Sequence, residues 1–365
     1  MDAPSSGFDN VVLHVQDVFY RGCHRRYIDT EFLSYREAFA VRREYGRKEV
    51  NRQMARYKII ANPIAGRGAG QRAVPLIEQT LREYSLDFDI VHTEYPWHAA
   101  ELAQQAVTEG YDIVVAVGGD GTSNEVLNGL MLARQAGEGS AVMGVLCVGR
   151  GNDFAFGAGV PHDLATGCRV LAQGYRRVID IGRVEGGLFP QGRYFGNGVG
   201  IGFDAVVGFE AQKMKHLHGF LGYLIAALKT IFLYYRAPLV RIEYNEQTIE
   251  QPSLMVSIMN GRRMGGGFMM APQASVDDGL FDLCIANQVS RVRIFVLIPR
   301  FMKGTQATHP SVKTGQTQRI VVTAVEGVLP AHADGETLCT QGQKLKMELL
   351  PRQVEILCQP PEAAQ

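Results

Sequence analysis

Residues Tyr111–Leu130 read YDIVVAVGGDGTSNEVLNGL, an apolar run that ends on two glycines and an aspartate and continues directly into a helix-like pattern. The run is a buried strand. Glycines at its end let the backbone turn with positive φ and approach a ligand closely, and the N-terminus of the following helix offers free N–H groups to an anion. That arrangement suits phosphates. Asp120 in the same turn repels a bare phosphate, so it makes sense mainly with a divalent cation between them. The competing reading is a turn in which Gly and Asp serve capping alone.

Working outward, "YKIIAN", "DFDIVHTEY" and "AVMGVLCVG" read as further strands, and "QRAVPLIEQTLREYS" and "HAAELAQQAVTEG" as helices between them. Strands spaced by helices make a parallel sheet with crossovers, here an open doubly wound α/β sheet whose ligand crevice lies beyond the carboxyl ends of the strands. The loops "NPIAGRGAG", "GGDGTSNE" and "GRGNDFAFG" meet there. Past Arg177 the texture changes to short strands parted by glycine and turn residues, including "RYFGNGVGIGFDAVV" and "SLMVSIMNG". This predicts a mostly antiparallel second domain, interrupted by one helix over His218–Tyr235. The expected boundaries are an extension over 1–53, a nucleotide domain over 54–177 with the segment 344–360 as a candidate addition, and a β-rich domain over 178–343.

At 365 residues and 46% hydrophobic, the chain can bury a sizeable core. Its 37 basic residues balance 37 acidic ones, so no global field draws it to nucleic acid. The six cysteines form no C-x-x-C pair, which fits a reducing compartment, cytosol by default, without structural zinc. The longest apolar stretch, Phe220–Tyr235, contains Lys229 and falls short of a membrane span. Residues 1–53 are rich in arginine and aromatics and lack strand alternation, and Met54 resembles a natural start. They are either a loosely ordered extension or, through "FLSYREAFAVRREYGRKEVNRQMAR", a basic helix for anionic lipid. No P-loop occurs, "GRGAG" is a weak dinucleotide match, and the nine histidines form no ligand cluster.

Together "GGDGTSNEVLNGL", "GRGNDFAFG", "GGGFMMAPQASVDDGLFDL" and "ADGE" resemble, in order and spacing, the diacylglycerol kinase catalytic-domain family, most closely its soluble bacterial lipid kinases. The resemblance covers Ala55 to the C-terminus. It implies an ATP-dependent, magnesium-using lipid kinase with an α/β nucleotide domain, a β-sandwich-like domain carrying lipid contacts, and the site in the cleft between them. By position it implies nucleotide contacts at Asn62, Thr93, Gly118, Gly119, Asp120, Gly121, Thr122, Ser123, Asn124 and Arg150, with Asp120 beside magnesium. Ser275, Asp278 and Leu280 match a structural magnesium site, and "ADGE" the catalytic stretch, with Glu336 as general base and Asp334 beside it. Phosphoryl transfer asks for positioning, charge neutralisation and a proton acceptor, which these residue types supply. Where many relatives have a small hydroxyl residue, this chain has Arg150, which either pairs with a phosphate oxygen or fills the adenosine site.

The leading expectation is a kinase acting on diacylglycerol at the membrane surface, cytoplasmic and without a transmembrane segment; a homodimer is compatible but nothing in the sequence compels it. The alternatives are a sphingoid-base or ceramide kinase, an NAD kinase, and a catalytically silent lipid-binding protein. For the helix over Gly219–Tyr235, burial under a sheet competes with lining an acyl-chain pocket, and Lys213, Lys215, Lys229 and Arg236 are candidates for a basic surface patch.

Overall fold

The computed structural model describes residues 55–149, 151–213, 219–233 and 237–360. The expectations for residues 1–53, Arg150, Lys215 and Arg236 lie outside them. The first lobe contains β1 (Arg56–Ala61), α1 (Ala65–Glu83), β2 (Asp87–His92), α2 (His98–Thr108), β3 (Ile113–Gly118), α3 (Asp120–Gln135), β4 (Val142–Cys147), α4 (Asp153–Ala158) and α5 (Leu164–Gln173). Strands β1 to β4 pair in parallel in the order β2-β1-β3-β4. Both faces are covered, as an alternating buried strand requires. Ile113, Val115 and Val117 pack with Ile77 and Leu81 of α1, whereas Val114 and Ala116 pack with Ala103 of α2 and Leu127 of α3. Helices α2 and α3 approach so closely that a Cβ on Gly129 would lie 2.2 Å from the Ala100 carbonyl oxygen. Only glycine fits that crossing.

The second lobe follows as β5 (Arg176–Gly186), β6 (Phe189–Phe195), β7 (Gly198–Gly202), α6 (Phe203–Lys213), α7 (Gly219–Leu233), β8 (Leu239–Tyr244), β9 (Gln247–Met259), β10 (Phe281–Asn287), α8 (Arg291–Lys303), β11 (Val312–Thr317), β12 (Arg319–Glu326), β13 (Leu329–Ala333), β14 (Glu336–Gly342) and β15 (Lys344–Leu357). Its strands pair antiparallel. Strand β9 pairs with β8 through Gln247–Pro252 and then with β7 and β10 from Ser253 on, so it passes from one sheet to the other as sandwich corners do. Val199, Val256, Leu283, Val322 and Leu345 fill the space between the sheets, with Phe195 stacked on Phe281 at 5.6 Å. Strand β15 ties the lobes together, parallel to β4 at Ile356 and Met143 and antiparallel to β5 along most of its length.

Three helices stand where the sequence predicts one. The stretch "GFDAVV" does not extend a strand: Gly202, at φ 98°, ends β7 and the chain turns into α6. "RVRIFVLIPRFMK", which the sequence reading left unassigned, is α8. Its β-branched content masks the i, i+3, i+4, i+7 spacing of Ile294, Leu297, Ile298 and Phe301, which face inward. Among the described residues no helix is long and apolar enough to cross a membrane.

Candidate active site between the two lobes

The three loops foreseen at the strand ends pack against one another through glycine. A Cβ on Gly66 would lie 2.2 Å from the Val148 carbonyl oxygen, and one on Gly149 would lie 2.4 Å from Gly119 Cα. Asn62 joins the first two loops, donating from Nδ2 to Thr122 Oγ1 at 3.1 Å. Thr93 is buried at the end of β2, its N–H donating to the Ala61 carbonyl. Helix α3 begins at Gly119 with no side chain capping its first turn, so the N–H groups of that turn face the crevice unclaimed by a cap.

Asp120 opens that helix. Its Oδ1 accepts from the Phe154 N–H at 3.1 Å. A Cβ on Gly151 would lie 2.7 Å from Asp120 Oδ2 and 3.7 Å from Asp153 Oδ2, so two carboxylates flank a space kept open by glycine. Burial, reinforced by the charge of Asp153, pushes Asp120 up to about 7. Asp153 is also raised by burial, while the Gly266 N–H and the Arg263 guanidinium pull the other way. Arg263 Nε lies 2.8 Å from Asp153 Oδ1, and Nη2 donates to the Gly151 carbonyl at 2.9 Å, with the guanidinium 4.0 Å over the Phe156 ring. Through this arginine the second lobe holds the third loop in place. Two hard oxygen donors beside an open space fit a magnesium ion, which commonly takes one or two protein carboxylates and completes its shell with phosphates and water. Among the described residues no group of three or more His, Cys, Asp or Glu side chains could hold a metal by itself.

The "ADGE" segment is a two-residue β-hairpin loop. Asp334 and Gly335 both have positive φ, 48° and 84°, between the paired residues Ala333 and Glu336. This is a primed hairpin turn, whose twist suits the flanking strands, and not the type I turn that the tripeptide alone suggests. Glu336 emerges exposed at the head of β14, and a Cβ on Gly121 would lie 3.0 Å from its Oε1. The carboxylate therefore sits directly on the first turn of α3. Asp334 is buried and turned away. Its Oδ1 accepts from the N–H groups of Asn197 and Gly198 at 3.0 and 2.9 Å, and its Oδ2 from the Gly196 N–H at 2.8 Å and Asn124 Nδ2 at 3.0 Å. Burial pushes its pKa up and these donors pull it down. Its place is that of a clasp across the lobes.

Asn124, expected beside the nucleotide, gives its side chain to the same junction. Nδ2 also donates to the Tyr194 carbonyl, and Oδ1 accepts from Arg193 Nη2 at 2.7 Å. Arg193 lies between the rings of Trp97 and Phe189, at 4.9 and 4.8 Å. Burial lowers its pKa, and the nearby Glu336, Asp334 and Glu125 raise it. Asp153, Arg193 and Arg263 escaped the sequence reading. Asp153 stood inside a quoted motif, but Arg193 and Arg263 carry no local signal at all.

Ser275, Asp278 and Leu280 lie together in the turn that leads into β10, and the Val276 side chain between them meets the end of the third loop, 3.6 Å from a Cβ placed on Gly157. Asp278 Oδ1 accepts from the Leu280 N–H at 3.0 Å, and Asp180 holds the turn through the Gly279 N–H at 2.7 Å. Neighbouring Asp277 is paired with Arg177 at 2.6 Å. Asp282 Oδ2 is buried without a hydrogen-bond partner, and burial, with the charge of Asp278 adding, raises its pKa.

A narrow apolar cavity of about 50 Å³ lies in the second lobe between α6, α7, α8 and the end of β9. Met255, Phe268, Leu297 and Phe301 line it, and among the described residues Asp204 is the one charged side chain in its wall. Burial pushes Asp204 up to about 7 and His332 down to about 4. The two side chains flank Gly200, where a Cβ would lie 2.3 Å from Asp204 Oδ2 and 2.6 Å from His332 Nε2. His332 Nδ1 accepts from the Gly335 N–H at 3.3 Å, so the deep side of the cavity adjoins the hairpin that presents Glu336.

Comparison with known proteins accords with this geometry. Residues 56–184 match the family model described as "Diacylglycerol kinase catalytic domain", and residues 197–358 that of the "YegS C-terminal NAD kinase beta sandwich-like domain". The chain is 33% identical over 294 residues to a Pseudomonas aeruginosa protein named "Probable lipid kinase YegS-like", covering 78% of this chain and 89% of that one. It is 27% identical over 285 residues to the "Diacylglycerol kinase" of Bacillus subtilis, covering 78% and 90%. A crystal structure of a diacylglycerol kinase from Bacillus anthracis superposes with a TM-score of 0.65 at 21% identity, covering 86% of this chain and all of that one, which establishes the shared fold.

Proposed function

Because this chain belongs to the diacylglycerol kinase catalytic-domain family and is a lipid kinase, we propose that it transfers the γ-phosphoryl group of ATP to the hydroxyl of diacylglycerol, with magnesium. The observation that carries the reading is the position of Glu336, an exposed carboxylate against the uncapped first turn of α3, where a proton acceptor and an anion cradle meet. In this reading the phosphates lie on the N–H groups of Gly119–Thr122, with Asn62 and Thr93 on the nucleotide side. Asp120 and Asp153 hold the magnesium, which when bound neutralises charge on the phosphate oxygens. Glu336 accepts the hydroxyl proton as that oxygen bonds to the γ-phosphorus and the bond to the bridging oxygen breaks. Asp334 and Asn124 fix the hairpin against α3, and Arg193 stabilises negative charge beside Glu336. The apolar cavity takes an acyl chain, with its Asp204 end toward the reacting hydroxyl. A second, structural magnesium at Ser275, Asp278 and Leu280 is supported by the orphaned Asp282 oxygen beside it. The division into a nucleotide lobe and a lipid lobe follows the same reading, with 344–360 shared between them, Leu345 and Met347 packing in the second and Val354, Ile356 and Leu357 in the first, as does a cytoplasmic protein in peripheral contact with the bilayer.

The test is a mass-resolved phosphorylation assay with magnesium, ATP and a lipid extract containing diacylglycerols, ceramides and sphingoid bases, run beside Glu336→Gln. Phosphatidic acid formed by the native chain and lost at least about 10³-fold in the variant is the expected outcome. A phosphorylated sphingoid base would reassign the acceptor, turnover of added NAD would reassign the reaction, and lipid retained without turnover of ATP, GTP or CTP would leave a silent binder.

A further inference from the structure

Helix α8 has two apolar faces. Ile294, Leu297, Ile298 and Phe301 point inward and form one wall of the cavity. On the opposite side Val292, Phe295, Val296 and Met302 are exposed, at 75%, 39%, 52% and 39%. With Pro299 they repeat the same i, i+3, i+4, i+7 spacing half a turn away. An outward stripe of this kind is unusual on a soluble surface.

Charge decides what it faces. The helix holds Arg291, Arg293, Arg300 and Lys303 and no acidic residue, and no Asp or Glu occurs anywhere from Leu283 to Val325, in a chain whose total charges balance. Arginines and a lysine beside an exposed apolar stripe are the pattern of a helix lying in the headgroup layer of a bilayer. A second copy of this chain would set four cations against four.

We propose that the outer face of α8 docks on an anionic membrane surface, so that the cavity under the same helix opens toward the leaflet from which the lipid acceptor is drawn. The proposal rests on the lipid-kinase reading for its purpose but not for its test. With the outer stripe buried among acyl chains, an acceptor moves from leaflet to cavity past one helix thickness, without its chains crossing water. Each Lys or Arg held near an anionic surface multiplies partitioning about fivefold, so the four cations bias the protein strongly toward anionic over neutral bilayers.

The experiment uses the full chain and two double variants, Val292→Glu with Val296→Glu, and Arg291→Glu with Arg293→Glu, none of which touches the cavity or the cleft. Sedimentation with vesicles of phosphatidylcholine alone, or mixed with phosphatidylglycerol, is measured without nucleotide. Phosphorylation is then measured with long-chain diacylglycerol in the mixed vesicles and with a water-soluble short-chain diacylglycerol. The native chain should bind the mixed vesicles selectively, and each variant should bind them at least about tenfold more weakly. Activity in vesicles should fall in step, while the rate on the short-chain substrate stays within about twofold. Binding within twofold of native for both variants overturns the proposal, as does an equal loss on both substrates, or a native dimer that the variants dissociate. If the native chain phosphorylates neither diacylglycerol, the acceptor assignment fails, and the nucleotide-free vesicle binding still decides the role of α8.

Discussion

Gly121→Ala separates stability from catalysis. Gly121 lies in the first turn of α3 without positive φ, so alanine is allowed there and is favoured in a helix by up to about 1 kcal/mol over glycine. The added Cβ would stand 3.0 Å from Glu336 Oε1, a few tenths of an ångström inside ordinary contact. Glu336 is exposed and relieves the clash by rotating outward, at little cost in stability. Its carboxylate then no longer rests on the turn where the phosphates are proposed to lie. Misplacement of a reacting group by 1 Å can cost about 10²-fold, so a shift of roughly half that size should lower kcat about tenfold. The melting temperature should stay level or rise by about 1–3 °C. Steady-state kinetics on the lipid acceptor, paired with thermal melting, gives both numbers. A kcat within twofold of native refutes the reasoning about Glu336. A loss carried wholly by KM for ATP would mean that the methyl meets the nucleotide and not the base.

Asp120 and Asp204 both titrate near 7 because burial favours their neutral forms, so between about pH 4 and 7 the folded chain binds protons that the unfolded chain has lost. In the metal-free protein, stability should therefore fall as pH rises through that window. Added magnesium should restore more of it at pH 8 than at pH 5 in the native chain and far less in Asp120→Asn; thermal melting in EDTA and in magnesium checks both signs, and an equal magnesium effect at the two pH values would take the metal away from Asp120. Asp334→Asn sets an amide against the four donors that its carboxylate now accepts from, and should cost about 3 kcal/mol in urea unfolding while reducing kcat. A stability within 1 kcal/mol of native would show that the clasp is dispensable.

The motif glycines were legible because their role is local. Gly118 and Gly119 end a strand and begin a helix, and any chain with that junction needs a backbone free to turn. Asp153 was half legible, since it sits next to a recognised turn, but its pairing with Asp120 depends on two loops meeting 33 residues apart. The clasp made by Asp334 was illegible for a related reason. Two carboxylates in "DGE" look like a catalytic pair, but Asp334 belongs to the turn itself and enters the junction, whereas Glu336 begins β14 and lies on α3. Helix α8 went unread because its sequence has two apolar faces, and a helix of that kind resembles a β-rich run until its burial is known.

The sequence by itself determined the α/β order of the first lobe, the β-rich texture of the second, and the loops at which an anion could sit, because strand alternation, helix spacing and glycine turns are set by near neighbours along the chain. Tertiary structure alone decided which charges meet. Arg263 reaches Asp153 across 110 positions, and Asn124 reaches Asp334 across 210. The pKa of each buried acid, the clasp between the lobes and the two-faced helix over the cavity all depend on what burial removes from water, and burial is a property of the packed chain as a whole.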